Sequence, residues 1–410
     1  MSVDAGTDHG KDESGPMSGA PPSGLESLVT LENWQQAPYN RWAFQHVREL
    51  IPTVRIPRGD GPVWDLPRAE RDLMEVPLAI RSGKLTVGHV LDRTYTDGFL
   101  VIHQGRIVTE RYFNGLRPDT PHLLMSVSKS ITGLVAGVLA GQGRLDVTAL
   151  VETIVPELGD TSFAGATVQQ LLDMRTGTRF SEDYDDPKAQ VAVSDRVYLW
   201  RPGDGKPRPA DAIEFFATLT NDGPHGGPFR YRSILTDVLA WVLERAGQAR
   251  FSDLVARELW QPMGAEHDAE VTVDAGGNAL ADGGISATLR DAGRAGLLAV
   301  RRGRGRDAQV VPAAWIDDTI TGAPDGPRAF RAGDGVTGYP PGAHYRNFWW
   351  VTEPRVPMFN AAGIHGQSIV VHVPSQTVVV KLSSWPDPLN TPMRRATLAA
   401  AHAIVAVLVR

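Results

Sequence analysis

The 410-residue chain contains no cysteine. That excludes disulfides, thiolate metal sites and a thiol nucleophile. Lysine is scarce too: only six of the 41 cationic residues are lysine. There is no excess of positive charge. The formal net charge is −6 and the pI is near 6.0, so there is no electrostatic footprint for nucleic acid or for an anionic membrane. No run of 18 apolar residues is present, which excludes a sequence-evident membrane-spanning helix. No His-Glu-x-x-His pattern, Walker loop or Gly-x-Gly-x-x-Gly after a strand occurs, so nothing points to a metal or nucleotide enzyme. The first stretch, "MSVDAGTDHGKDESGPMSGAPPSG", lacks the basic start and apolar core of a secretory signal. A cytoplasmic protein with a disordered tail over residues 1–26 is the expectation.

What is present is an ordinary globular composition, 42% hydrophobic and 21% charged, with length for one large or two interlocked domains. "DGFLVIHQGRIVTERYF" (97–113) alternates apolar and polar residues about Gln104-Gly105 and predicts a hairpin. "SVSKSITGLVAGVLAGQG" (126–143) spaces Ile131, Leu134, Val135, Val138 and Leu139 by threes and fours, which predicts a buried helix ending at Gly143. Further helices are expected over 167–177, 232–248, 252–264 and 393–410. Strands are expected over 345–352, 367–374 and 377–385, the last two as a hairpin. Residues 181–211 read as a long surface loop. Strands near both ends and helices between them predict an α+β fold: an antiparallel sheet flanked by helices, built from 27–130 and 290–410, plus a mostly helical lobe over 131–289. The site would lie between the lobes.

The scarcity of lysine gives Lys129 its interest. It stands three residues after Ser126, at the start of the apolar helix, so the two side chains share a face. A serine hydroxyl is a weak nucleophile until a base takes its proton. A desolvated lysine has its pKa lowered and can be that base. The helix N-terminus adds N–H groups aimed at developing negative charge. Ser-x-x-Lys alone is a weak motif, because an N-cap serine with a snorkelling lysine also satisfies it.

Ser-x-x-Lys at the head of a buried helix resembles the serine β-lactamase and penicillin-binding-protein superfamily. Tyr231-Arg232-Ser233 is similar to the second motif of the class C branch, Tyr-x-Asn. Ala361-Ala362-Gly363 stands where the third motif's strand should begin. The blocks "NRWAFQHV", "HLLMSVSKS", "EDYDDP", "TDVLAWVLER", "GIHGQ" and "VKLSSWPDP" together resemble the 6-aminohexanoate-dimer (nylon-oligomer) hydrolases over about residues 32–390.

That resemblance implies a β-lactamase-like fold and a serine amidohydrolase with carboxylesterase side activity, acting on small amides or esters through an acyl-enzyme without a cofactor. It implies Ser126 as nucleophile, Lys129 as base and Tyr231 as proton relay. The oxyanion donors would be the N–H groups of Ser126 and Ile364, with Gly363 allowing close approach. Tyr184 would contact the substrate amide nitrogen, Asp195 a substrate ammonium, and Trp200 would wall the cleft. Asp282 stands where the family's Asn would face the substrate. His365, beside Ile364, reads as structural, because the site already has a base. A homodimer is a family-level expectation.

The chain departs from the pattern in three places. The third motif lacks the lysine of Lys-Thr-Gly, which argues against a dedicated β-lactamase. Ser233 replaces the second motif's Asn, and Asp282 replaces the family Asn. The rival readings are a carboxylesterase with negligible amidase activity and a non-catalytic penicillin-binding-protein relative.

Overall fold

The computed structural model describes residues 15–17, 22, 24–78, 85–333 and 339–410. The tail expected over 1–26 lies mostly outside the described residues. Its described end carries a short 3-10 turn, Leu25–Ser27.

Eleven strands are found among the described residues: β1 (Thr53–Ile56), β2 (Thr96–His103), β3 (Arg106–Tyr112), β4 (His122–Leu123), β5 (Ala269–Thr272), β6 (Ile285–Ala287), β7 (His344–Arg346), β8 (Trp349–Glu353), β9 (Met358–Ala362), β10 (Ser368–His372) and β11 (Thr377–Ser383). Seven of them form one antiparallel sheet in the order β3-β2-β11-β10-β9-β8-β7. The sheet thus joins chain from 96–112 to chain from 344–383.

Successive residues in a strand face opposite sides, and both faces here are covered. Leu100, Ile102, Ile369, Val378 and Val380 belong to the main core, against which the Leu289–Val300 helix packs. Phe99, Val101, Val370 and Val379 face the other way, toward Ala400, Ala401 and Ile404 of the closing helix and Val87, Val90 and Leu91 of a shorter one. The hairpin expected at Gln104-Gly105 is there, with φ of +50° and +75°, the two positive values a primed two-residue turn requires.

The remaining strands form a small sheet in the order β1-β5-β6-β4. Two of them, β5 and β6, lie within the stretch expected to be mostly helical. This sheet has a positioning role. β4 pairs with β6, and Leu124 N–H donates to Ile285 O at 2.9 Å. The chain is thereby fixed just before Ser126.

The helices at Val127–Gly141 and Ile234–Gly247 pack on each other, close to their expected spans. Other elements differ from expectation. The helix expected over 167–177 stops at Leu172, and Met174 then turns back at φ +55°. The stretch 181–211 contains a helix, Gln190–Val197. The run "YRNFWWVT" is two strands, broken by positive φ at Asn347 and Phe348. No helix of the described residues is long and apolar enough to cross a membrane.

Candidate active site

Ser126 occupies the N-cap of the Val127–Gly141 helix, yet its hydroxyl makes no capping bond. Lys129 Nζ donates to it at 2.9 Å, and also to the Asp282 carbonyl at 2.8 Å. The capping explanation of this serine therefore fails, because its oxygen faces the lysine. Lys129 is 1% exposed. Tyr231 completes the group: its hydroxyl oxygen accepts from Ser126 and Lys129, and Lys129 Nζ lies 5.2 Å from its ring centroid. Trp350 stacks on that ring, with centroids 5.6 Å apart.

Charge around Lys129 overturns one expectation. Burial by itself lowers the lysine's proton affinity, but Tyr231, Asp282, Glu182 and Asp237 outweigh burial and raise it above the ordinary value. Lys129 is thus held as an ammonium in the resting site. Tyr231 is likewise raised: burial and Glu182 prevail over the lowering effect of Lys129. Neither group is poised as a ready anion or free amine by desolvation alone.

The two expected oxyanion donors do converge. Gly363 ends the approach of β9 to Ser126. A Cβ at this position would meet Leu124 O at 2.9 Å and Met125 Cβ and Ser126 N at 3.0 Å. Only a glycine lets the strand come this near. Among the described residues, the N–H groups of Ser126 and Ile364 bond no acceptor, while their neighbours Gly363 and His365 donate to Gln367 O and Pro388 O. Both Ser126 and Ile364 line a cavity of about 730 Å³. Two unpaired backbone donors beside a serine hydroxyl are what a tetrahedral oxyanion needs. His365 is buried behind them. Its ring N–H donates to Trp385 O at 2.7 Å, and burial pushes its pKa down to about 4. It is a neutral bracing residue that does not line the cavity.

The expected substrate contacts fare unevenly. Tyr184 lines the cavity, but its hydroxyl donates to Glu182 Oε2 at 2.9 Å. Asp195 does not line it. Its carboxylate is taken by Arg201 Nε at 2.7 Å, and burial raises its pKa to about 6 despite that partner. Trp200 is core rather than cleft wall: its indole N–H donates to Thr272 and its ring packs edge-on against Trp34 at 5.0 Å. A large aromatic 4% exposed has found an inner partner. Asp282 also lies outside the cavity lining and stands behind Lys129, with Oδ2 at 3.8 Å from Nζ.

Glu182 was missed, although it sits in the quoted block "EDYDDP". It lines the cavity and accepts from the backbone N–H of Ser233, from the Ser233 hydroxyl at 3.2 Å and from Tyr184. Ser233, in the place of the second motif's Asn, thus serves Glu182. A carboxylate two residues before a cleft tyrosine was the available signal.

Comparisons with known proteins place the chain in a family. A family model described as Beta-lactamase matches residues 87–404. The chain is a serine hydrolase of the beta-lactamase family. It is 39% identical over 368 residues to the 6-aminohexanoate-dimer hydrolase of Paenarthrobacter ureafaciens, covering 90% of this chain and 91% of that one. A solved structure from Bacillus anthracis assigned to the same hydrolases superposes with a TM-score of 0.84 at 25% identity, covering 94% and 98% of the two chains. A family VIII carboxylesterase shares the fold, with a TM-score of 0.57 at 15% identity over 77% of this chain and 96% of that one.

Proposed function

We propose that the protein hydrolyses linear amides such as the 6-aminohexanoate linear dimer through an acyl-enzyme on Ser126, with short carboxylic esters as a side activity. The observation that carries this reading is the meeting, at one cavity wall, of the Ser126 hydroxyl and the unbonded N–H groups of Ser126 and Ile364, with the buried Lys129 amine 2.9 Å from that hydroxyl.

In this reading Ser126 Oγ attacks the carbonyl carbon, and its proton passes to the neutral form of Lys129. The carbonyl oxygen becomes an oxyanion held by the two N–H groups. Lys129 returns the proton through the Tyr231 hydroxyl to the leaving nitrogen, and the C–N bond breaks. Water then attacks the acyl-enzyme by the reverse proton path. Because surrounding charge raises the proton affinity of Lys129, the neutral amine is a minor form at pH 7. The rate is therefore expected to keep rising with pH into the alkaline range.

A second reading, an esterase with negligible amidase activity, is favoured by one observation: Arg201 already occupies Asp195, the residue meant for a substrate ammonium. One experiment separates the two. Purified protein is given the linear dimer and p-nitrophenyl acetate, beside Ser126→Ala. Release of monomer and nitrophenol, both lost in the variant, supports the amidase. Nitrophenol alone leaves an esterase, and monomer released by the variant defeats the mechanism.

A further inference from the structure

One wall of the cavity is built by the large sheet and by the closing helix, Thr391–Leu408. Asn360 and Ala362 stand two apart on β9 and face the same way, and Ser368 of β10 faces with them, opposite Ala362 in the register. Val370, two further along β10, packs with Ala400, Ala401 and Ile404 of the closing helix, so this is the face that helix covers. Toward the helix start the dry packing opens. There Asn360, Ser368, Thr397 and Leu398 line the cavity, with Trp385 from just beyond β11.

Three buried polar atoms on this wall have nothing to bond. Asn360 Oδ1, Thr397 Oγ1 and Trp385 Nε1 make no hydrogen bond among the described residues, and the three residues are 6%, 8% and 4% exposed. Buried polar groups are normally paired, so three orphans on one cavity wall point to a polar guest. An indole N–H can only donate, and a hydroxyl and an amide can both donate, so the guest must offer oxygen acceptors. The helix start adds charge. Its first turn has no acidic residue, and Arg394 and Arg395 stand near the end where the helix dipole favours an anion. Arg394 lines the cavity and has no carboxylate partner among the described residues. Its Nη1 donates to the Tyr339 hydroxyl at 3.1 Å, and its guanidinium lies 5.9 Å from that ring's centroid. Tyr339 stacks on Trp350, and Trp350 on Tyr231, so an aromatic row leads from Arg394 to the reacting centre. The cavity's other arginines come from the helical lobe. There Asp222 takes Arg230 and Arg232, and Arg179 has no orphaned lining group beside it.

We propose that this wall is a carboxylate subsite, in which Arg394 and the orphaned groups of Asn360 and Thr397 hold the terminal carboxylate of the leaving amine. The proposal rests on the amide hydrolysis described above and fixes which way round the substrate lies. In the linear dimer the acyl half ends in an ammonium and the leaving half in a carboxylate. The cationic wall therefore takes the leaving half, and the acyl half lies toward Glu182, a carboxylate of the helical lobe. Leu398 and the exposed Leu389 give the methylene chain apolar surface.

The first test is of binding and needs no turnover. Ser126→Ala protein is titrated calorimetrically with N-acetyl-6-aminohexanoate and with the matching carboxamide, which differ only in the terminal group. The carboxylate is expected to bind about tenfold more tightly, with an advantage that shrinks as salt is added. Arg394→Gln in the same background should abolish the advantage, Arg394→Lys should restore part of it, and Arg179→Gln should keep it. Equal affinity for the two ligands would overturn the subsite, as would a preference that survives Arg394→Gln or vanishes in Arg179→Gln.

The second test fixes the orientation with the native serine in place. Arg394→Gln should weaken use of the linear dimer through KM rather than kcat. The rise in KM should exceed that for the mono-p-nitrophenyl ester of adipic acid, whose carboxylate is on the acyl half. The reverse order would overturn the assignment to the leaving group. If the native protein releases no monomer from the dimer, the functional reading fails, while the binding result still decides the subsite.

Discussion

Among the described residues a lysine is buried beside a serine twice, and the two sites behave in opposite ways. Lys129 is 1% exposed and Lys381 is 2% exposed. Each donates to a serine hydroxyl and to a backbone carbonyl: Lys129 to Ser126 and Asp282, Lys381 to Ser383 and Thr94. Lys381 has a single helpful charge, Asp97, and the Trp385 ring 5.7 Å away. Burial therefore wins and drops its pKa to about 7. Lys129 has Tyr231, Asp282, Glu182 and Asp237 around it, and burial loses. Depth is the same, so the neighbouring charges decide the protonation state. A second difference decides reactivity. Ser126 lines the cavity beside two unbonded N–H groups, whereas Ser383 is sealed in β11.

The largest effect that sharpens this contrast is the paired removal of the serines. Ser126→Ala is expected to lower kcat for both amide and ester by about 10⁴-fold or more, while Ser383→Ala leaves turnover in place. Equal losses from both would erase the distinction. Gly363→Ala comes next. Its Cβ would push β9 away from the Ser126 backbone and misplace one oxyanion donor, for a loss of about 10²- to 10³-fold in kcat. A variant with native kcat would show that the close approach is unnecessary.

A smaller effect concerns Lys381 and stability. Its folded pKa, about 7, lies below the ordinary 10.5. Between those values the unfolded chain binds more protons than the folded one, so stability rises as pH climbs from about 7 to 10.5. Lys381→Met should flatten that slope in denaturant titrations at a series of pH values. An unchanged slope would refute the assignment. The smallest expected effect is on selectivity. Tyr184→Phe should reduce the ratio of amide to ester turnover by about tenfold, and an unchanged ratio would favour the esterase reading.

The same contrast explains what could be read from sequence. Hydrophobic spacing located the helix carrying Ser126 and Lys129 because its buried face repeats within one turn. The turn at Gln104-Gly105 was legible because only particular residues accept positive φ. Motif order placed Tyr231 and Gly363 at the cavity, though 105 and 237 residues from Ser126 along the chain. The charge state of Lys129 was not legible, since Glu182, Asp237 and Asp282 arrive from three separate segments. A one-dimensional pattern reports that a lysine is buried and is silent on what surrounds it, so the desolvation argument suits Lys381 and fails for Lys129. Asp195 and Trp200 illustrate the same limit. Their family positions were recognisable, but their partners, Arg201 and Thr272, depend on local packing.

The most direct test of the account is to find which serine becomes acylated. The full-length protein is quenched in acid during turnover of p-nitrophenyl acetate, digested and mapped by mass spectrometry. The account predicts one acetyl group, on Ser126, absent in Ser126→Ala. An acetyl group on Ser383 or any other residue, with Ser126 unmodified while turnover proceeds, would contradict it.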